Sequence, residues 1–245
     1  MTASSERTAA SREGVRDFLA VAVGVAAWGL VTGVAMAQST LEIGHAVAFA
    51  LLAFAGSAQL AALPLMTSAA PVWLIVLTAL VVNLRFVIYS AGLAKPLSGL
   101  TLRRRAWLSF LVGDLPFALY MRKATADPNW SKSDSYLAGM GTANWLVWQS
   151  SSITGILLGA RIPREWGLEL AGTLALLALV IPMVIRRVAA AVGVCAASLV
   201  AIAANRIPLH LGVLIAIITG VTAAMLTESL ERRFQRLRPN AESAT

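Results

Sequence analysis

A chain of 245 residues that is 58% hydrophobic and 13% charged, with a mean hydropathy of +0.75, is excluded from the soluble globular class, whose single core cannot absorb so much apolar side chain. The net charge of +8 does not point to nucleic acid, because the Lys and Arg residues fall between apolar runs instead of along one face. The lone cysteine, Cys195 in "AVGVCAASL", excludes an internal disulfide and a thiolate metal cluster.

In chain order, residues 1–17, "MTASSERTAASREGVRD", are too charged for the apolar part of a signal peptide and read as an uncleaved polar cytoplasmic segment. Eight apolar segments follow, at about 18–37, 45–66, 71–94, 106–121, 136–159, 168–185, 188–204 and 207–227, each near the length that crosses a hydrocarbon layer of about 30 Å. Alternating barrel strands are absent, and backbone polar groups in lipid must be satisfied internally, so every segment is read as a helix. The expected fold is all-α, a polytopic transmembrane helical bundle forming a single domain over 18–227. A basic cytoplasmic tail over 228–245, "ERRFQRLRP" within it, closes the chain.

Cytoplasmic loops hold the excess of Lys and Arg. Eight plain crossings put both termini inside and leave Lys95, Arg103, Arg104 and Arg105 on the wrong side. Broken or re-entrant segments would repair this. The fourth segment, "AWLSFLVGDLPFALYM", is short and interrupted by Gly113, Asp114 and Pro116, and the second, "LLAFAGSAQLAALPLM", contains Gly56, Ser57, Gln59 and Pro64. Loosened backbone at membrane depth is tolerated where it is buried in protein or lines a polar cavity. "AGSAQ" is therefore expected to be unwound, with Gly56, Ser57 and Gln59 at a binding site. Free N–H groups at a half-helix start attract a carboxylate, and free carbonyls at a half-helix end attract an ammonium. Close helix packing through Gly56 and Ser57 stays open as the alternative.

Other polar residues interrupt the apolar runs. Asn83 and Ser90, seven apart in "VVNLRFVIYSAGL", would share a helical face. Arg85 needs an acid, the protein interior or an interface. Asp114 in "LVGDLPF" is the one acid comparably placed, which makes Arg85 with Asp114 the simplest ion pair, with proton coupling at Asp114 as an equal reading. In the fifth segment Asn144, Trp148, Ser151, Gly155 and Gly159 form one stripe. Its glycines read as packing, and Asn144 with the neighbouring Gln149 as substrate or water contacts. The first segment repeats the small-residue spacing at Gly29, Gly33 and Ala37. A polar break, a proline and a tryptophan recur in order at Gln59, Pro71, Trp73 and at Gln149, Pro163, Trp166, a hint of an internal repeat. His45 and His210 have no donor cluster around them, so no metal or other cofactor is expected, and no GxSxG turn supports a hydrolase.

The sequence resembles the AzlC family of branched-chain amino acid exporters, large subunits that work with a small membrane protein of the AzlD type. The matching blocks are "GVRDFLAVAVGVAAWGLVTGVAMAQ", "LLAFAGSAQLAALPL", "VVNLRFVIYSAGLAKPL", "GDLPFALYMR" and "YLAGMGTANWLVWQSSSITGILLGARIP". The chain departs from the family pattern at "GDLP" and "NLRF". The resemblance implies a non-enzymatic secondary transporter of the cytoplasmic membrane that exports aliphatic amino acids, driven by protons. From the polar residues read above, Gly56, Ser57, Gln59, Asn83, Asn144 and Gln149 are the expected substrate contacts, and Asp114 and Arg85 the expected proton-coupling group or ion pair. Absence of a Walker-type "GxxxxGK[ST]" from the sequence agrees with an ion-driven device. The partners so implied are branched-chain amino acids, the AzlD-like subunit, the lipid bilayer and, as an open question, further copies of the chain. A passive channel or a structural membrane subunit remains the alternative.

Overall fold

The computed structural model describes residues 3–127, 130, 133–163, 177, 181, 184–185, 187–203 and 211–237. Among these residues every regular element is a helix: α1 (Ala3–Leu19), α2 (Ala22–Gln38), α3 (Ile43–Leu52), α4 (Gly56–Thr67), α5 (Val72–Val82), α6 (Arg85–Ala94), α7 (Leu102–Leu111), α8 (Asp114–Ala126), α9 (Ser133–Gly159), α10 (Val188–Ala203) and α11 (Leu211–Leu237). The all-α class stands, and no strand occurs among the described residues. Most of the sixth expected segment, together with Trp166, His210 and the tail beyond Leu237, lies outside them.

The chain divides into two compact units, residues 1–67 with 79–175 and residues 68–78 with 176–245. The first is built around α9, the 27-residue helix. Both α1 and α2 run along α9, and α3, α7 and α8 also touch it. Small residues permit this approach. A Cβ on Gly33 of α2 would stand 2.9 Å from the Ile156 nitrogen of α9, and one on Gly159 would stand 3.0 Å from the Val34 Cα. The same logic places Gly14 of α1 against the Tyr136 carbonyl and Gly139 of α9 against that of Ser11. The polar N-terminal segment is thus a packed helix. Its buried Phe18 joins a core with Val25, Leu93, Leu108, Tyr120, Tyr136, Met140 and Trp148.

Three of the expected segments are each two helices. The second is interrupted at Ala53–Ala55, the third at Asn83–Leu84 and the fourth at Val112–Gly113. The unwound residues of the second segment are therefore Ala53, Phe54 and Ala55, and "GSAQ" forms the first turn of α4, a correction to the expected unwinding of "AGSAQ". The expected shared face of Asn83 and Ser90 is also corrected. A 43° bend separates α5 from α6, so the helical period does not run through both residues, and Ser90 is exposed.

Among the described residues no single helix is long and apolar enough to cross a membrane. The bent pairs 4–19 with 22–38 (64°) and 72–82 with 85–94 (43°) pass that test together, and α3 and α10 are shorter apolar helices. Large apolar side chains face outward, among them Val23, Leu52, Leu80 and Ile88. Lipid exacts no penalty for that arrangement, and the all-helical elements are those of a polytopic transmembrane helical protein. In the second unit α10 and α11 pair antiparallel. Gly193 faces Gly220 and Ala224, and Gly220 faces Ala197.

Candidate functional site where broken helices meet α9

Two of the interruptions converge on one face of α9. Asn144 and Trp148 lie one turn apart there, both buried. A Cβ on Gly113, in the α7–α8 break, would stand 3.1 Å from the Asn144 Nδ2, and one on Gly56, at the start of α4, would stand 2.7 Å from the Trp148 Cζ2 and 2.8 Å from the Trp28 Nε1. Phe54, in the α3–α4 break, links the two, its ring centroid 6.0 Å from that of Phe110 at the end of α7 and 6.4 Å from that of Trp148.

Each break leaves backbone donors free. The first hydrogen bond into α4 runs from the Gln59 N–H to the Ala55 carbonyl (2.9 Å), so the N–H groups of Gly56, Ser57 and Ala58 have no intrahelical acceptor. At α8 the Phe117 N–H reaches the Gly113 carbonyl (2.9 Å), Gly113 supplies no side-chain cap, and Pro116 has no N–H to satisfy. Gln59 reaches back over its break, its Nε2 donating to the Phe49 carbonyl at 3.3 Å.

Several buried side chains of α4 and α9 are polar. Ser57, Gln59, Asn144, Gln149 and Ser152 are buried. The Ser57 Oγ, the Gln59 Oε1, the Trp148 Nε1 and both ends of the Gln149 amide have no hydrogen-bond partner among the described residues. An unpaired buried polar group costs about 1–3 kcal/mol, so each of these atoms has bonding capacity left for a ligand or a water molecule.

A charged group joins the third break to the second. Arg85, first residue of α6, donates through Nη1 to the Asp114 Oδ2 at 2.8 Å, and the Tyr89 hydroxyl donates to the Asp114 Oδ1 at 2.7 Å. Tyr89 is stacked on Phe117, centroids 4.3 Å apart, and the guanidinium lies 5.3 Å from the Phe86 ring centroid. Asp114 opens α8, where the positive end of the helix dipole favours an acid. The structure thus gathers Gly56, Asn144 and Asp114 around two breaks and ties Arg85 to them. Asn83 sits in the α5–α6 break with its Oδ1 buried and unpaired, and Gln149 follows Trp148 on α9.

Several contributors carry little sequence signal. Trp28 lies in a segment notable for its glycine spacing, Phe54 and Phe110 are apolar residues in apolar runs, and Tyr89 would have been found only by asking what else could reach Asp114. Among the described residues no group of three metal-donor side chains occurs, and exposed His45 has only Glu42 beside it, at 3.6 Å.

The family model for the AzlC protein matches residues 20–162, more than half of the chain. The chain belongs to the AzlC family. The matched span runs from the start of α2 to the end of α9 and contains every candidate residue above. No curated protein and no solved structure matches the chain. AzlC is a transporter-type family of membrane proteins, not an enzyme family, and the broken helices belong to the part of the chain that defines it.

Proposed function

We propose that this AzlC protein is the large subunit of a proton-coupled secondary transporter that exports branched-chain aliphatic amino acids across the cytoplasmic membrane, with both termini cytoplasmic, together with a small AzlD-like membrane subunit. The single observation that carries the reading is the meeting of two half-helix starts, at Gly56 and Gly113, against Asn144 and Trp148 of α9. The free N–H groups of Gly56, Ser57 and Ala58 suit a carboxylate. The amides of Gln59, Asn144 and Gln149 suit the remaining polar atoms of a zwitterion. Trp28, Phe54, Phe110 and Trp148 offer apolar surface to a branched side chain.

Asp114 supplies the coupling. Its carboxylate is held by Arg85 and Tyr89, and a proton arriving on it removes the charge that holds Arg85, so that α6 and α8 separate at their starts. One charge moved through about 100 mV is worth about 2.3 kcal/mol, enough for a gradient of roughly fiftyfold in a neutral zwitterion.

The test is labelled valine in proteoliposomes holding the chain with and without an AzlD-like partner. Uphill movement under an imposed pH gradient, lost in Asp114→Asn and weakened in Gln59→Ala, is the expected result. Equal flux in both directions without proton movement would make the protein a channel. No flux with either preparation would leave it a structural subunit.

A further inference from the structure

Helix α7 carries two stripes, each headed by an arginine. Arg104, Leu108 and Leu111 form the inward one: the leucines are buried, and Arg104 donates through Nη2 to the Asp134 Oδ2 at 3.2 Å. Arg103, Trp107 and Phe110 share the next face, within an arc of about 60°, and all three are exposed. Trp107 and Phe110 are stacked, with ring centroids 6.0 Å apart and planes 27° from parallel. The outward arginine has no acid. Arg103 makes no ion pair among the described residues, and residues 86–113 hold Lys95, Arg103, Arg104 and Arg105 without one Asp or Glu. The neighbours set the depth of this end. At the start of α9, Asp134 meets Arg104, and Tyr136 lies against Lys123 of α8, which pairs with Glu13 of α1. Charges gathered at one end of a membrane bundle belong at its boundary with water, so α7 runs inward from its Arg103 end.

We propose that the Arg103–Trp107–Phe110 stripe of α7 is a binding site for an anionic phospholipid, with the phosphate on the Arg103 guanidinium and the upper acyl chain along the two rings. The inference goes beyond the transport reading and does not need it. A guanidinium matches phosphate oxygens in charge and geometry, and an indole suits the interfacial level just below. The order of the stripe selects a lipid. A water-soluble acidic partner would satisfy Arg103 and leave the stacked rings without apolar cover, whereas a phospholipid presents phosphate at the boundary and hydrocarbon beneath it. The uncompensated charge selects the head group. Lys95 and Arg105 add to the positive field of Arg103, which attracts a lipid of net negative charge and is offset by the cation of a zwitterionic one. Phe110 also lies 6.0 Å, centroid to centroid, from Phe54 in the α3–α4 break, so an acyl chain on the stripe reaches a ring that flanks the candidate site.

The probes are phosphatidylglycerol and phosphatidylcholine with the same brominated acyl chains, titrated into the full chain in uncharged detergent micelles. Bromine quenches an indole that it touches, and the part of the signal owed to Trp107, one of seven tryptophans, is the difference between wild type and Trp107→Phe. Phosphatidylglycerol is expected to quench that part at a concentration about fivefold lower than phosphatidylcholine, the scale of one basic residue near an anionic surface. Arg103→Gln, at an exposed position, should melt as wild type does and lose the preference. Inorganic phosphate at the same concentration should not displace the lipid, because it offers the rings nothing. Equal quenching by the two lipids in wild type overturns the site, and so does a preference that Arg103→Gln leaves unchanged. Loss of the Trp107 quenching when a small membrane subunit is bound to the chain would assign the stripe to that protein and overturn it as well. None of these outcomes bears on valine movement in proteoliposomes, so the site and the transport reading fail separately.

Discussion

Gly56 at the start of α4 lies edge-on to Trp148 of α9, so close that a Cβ there would stand 2.7 Å from the indole Cζ2. Trp28 closes the other side, its Nε1 2.8 Å from the same point. A methyl group has no room between two indoles that are themselves packed, and overpacking of this kind costs about 1–3 kcal/mol. Gly56→Ala should therefore lower the melting temperature in detergent and, under the proposed transport function, reduce valine efflux. Trp148→Phe on the Gly56→Ala background should recover part of the lost stability by withdrawing the benzo edge. Equal melting temperatures for wild type and Gly56→Ala would show that the contact is loose.

The helices and the presence of breaks were legible in the sequence, because apolar length and intramembrane polar residues are strong signals. The position of the break at the second segment was not. Glycine reads as a residue that lets the backbone turn, yet Gly56 is helical, and its missing Cβ serves the approach of Trp148. The unwound residues, Ala53, Phe54 and Ala55, are ordinary members of an apolar run, and nothing local distinguishes them. Asn83 and Ser90 show the complementary failure, since a helical period is informative only while the helix continues. Arg85 and Asp114 stand out in sequence as charges set among apolar residues, and the structure joins them. The role of Tyr89 depends on a contact between residues 25 apart, which no periodicity encodes.

Gln38, at the end of α2, donates from Nε2 to the carbonyls of Gly159 (2.6 Å) and Ile162 (3.1 Å). These lie where α9 ends, and the Gly159 carbonyl also accepts from the Ile162 N–H (3.2 Å). Gln38→Met keeps the volume but removes the donor, and it should cost about 0.5–1.5 kcal/mol for each of the two lost bonds. Gln38→Glu should be worse, because an ionised carboxylate would face carbonyl oxygens at the negative end of the α9 dipole. The predicted order of melting temperatures is wild type, then Gln38→Met, then Gln38→Glu.

At the far end of α8, Lys123 pairs with Glu13 of α1. Its ammonium also lies 4.4 Å from the ring centroid of Tyr136 and 5.0 Å from that of Trp130. Tyr136 in turn donates to the Asp17 Oδ2 at 2.9 Å. Aromatic faces attract a cation, by about 0.5–1 kcal/mol at accessible sites, and repel an anion. The charge swap Glu13→Lys with Lys123→Glu restores a pair of opposite charges but puts the carboxylate on the rings. It should therefore remain less stable than wild type in thermal melts. A simple ion pair would tolerate the swap, so full recovery would show that the rings contribute nothing.

Ala69, two residues after α4, has φ +52°, in the left-handed region where a side chain is strained and glycine is not. Ala69→Gly relieves the native strain but loosens the unfolded chain, two effects of opposite sign. The left-handed penalty of about 1–2 kcal/mol is the larger. A rise of about 1–4 °C in melting temperature is expected for a chain of this size. A fall would mean that Ala69 is held in place by more than its backbone.

The Arg85–Asp114 contact makes a prediction about stability separate from transport. Removing one member strands the other, and a charge left without its partner away from water is worse than no charge at all. Asp114→Asn leaves the guanidinium of Arg85, already unpaired at Nε, without a counter-charge. Arg85→Gln leaves Asp114 with only the Tyr89 hydroxyl. Each single variant should melt several degrees below wild type, at about 2–4 °C per kcal/mol lost. The double variant should melt above both, because the remaining amides can bond to each other and to Tyr89 without a charge to solvate. The side chain of Asp114 is 55% exposed to the protein exterior and that of Arg85 26%, so the recovery also reports the surroundings. If the two sites see water, the single variants will lie close to wild type and the double will add nothing. If they face lipid or a closed interior, the coupling between the two substitutions will exceed the about 0.2–1 kcal/mol typical of an exposed pair.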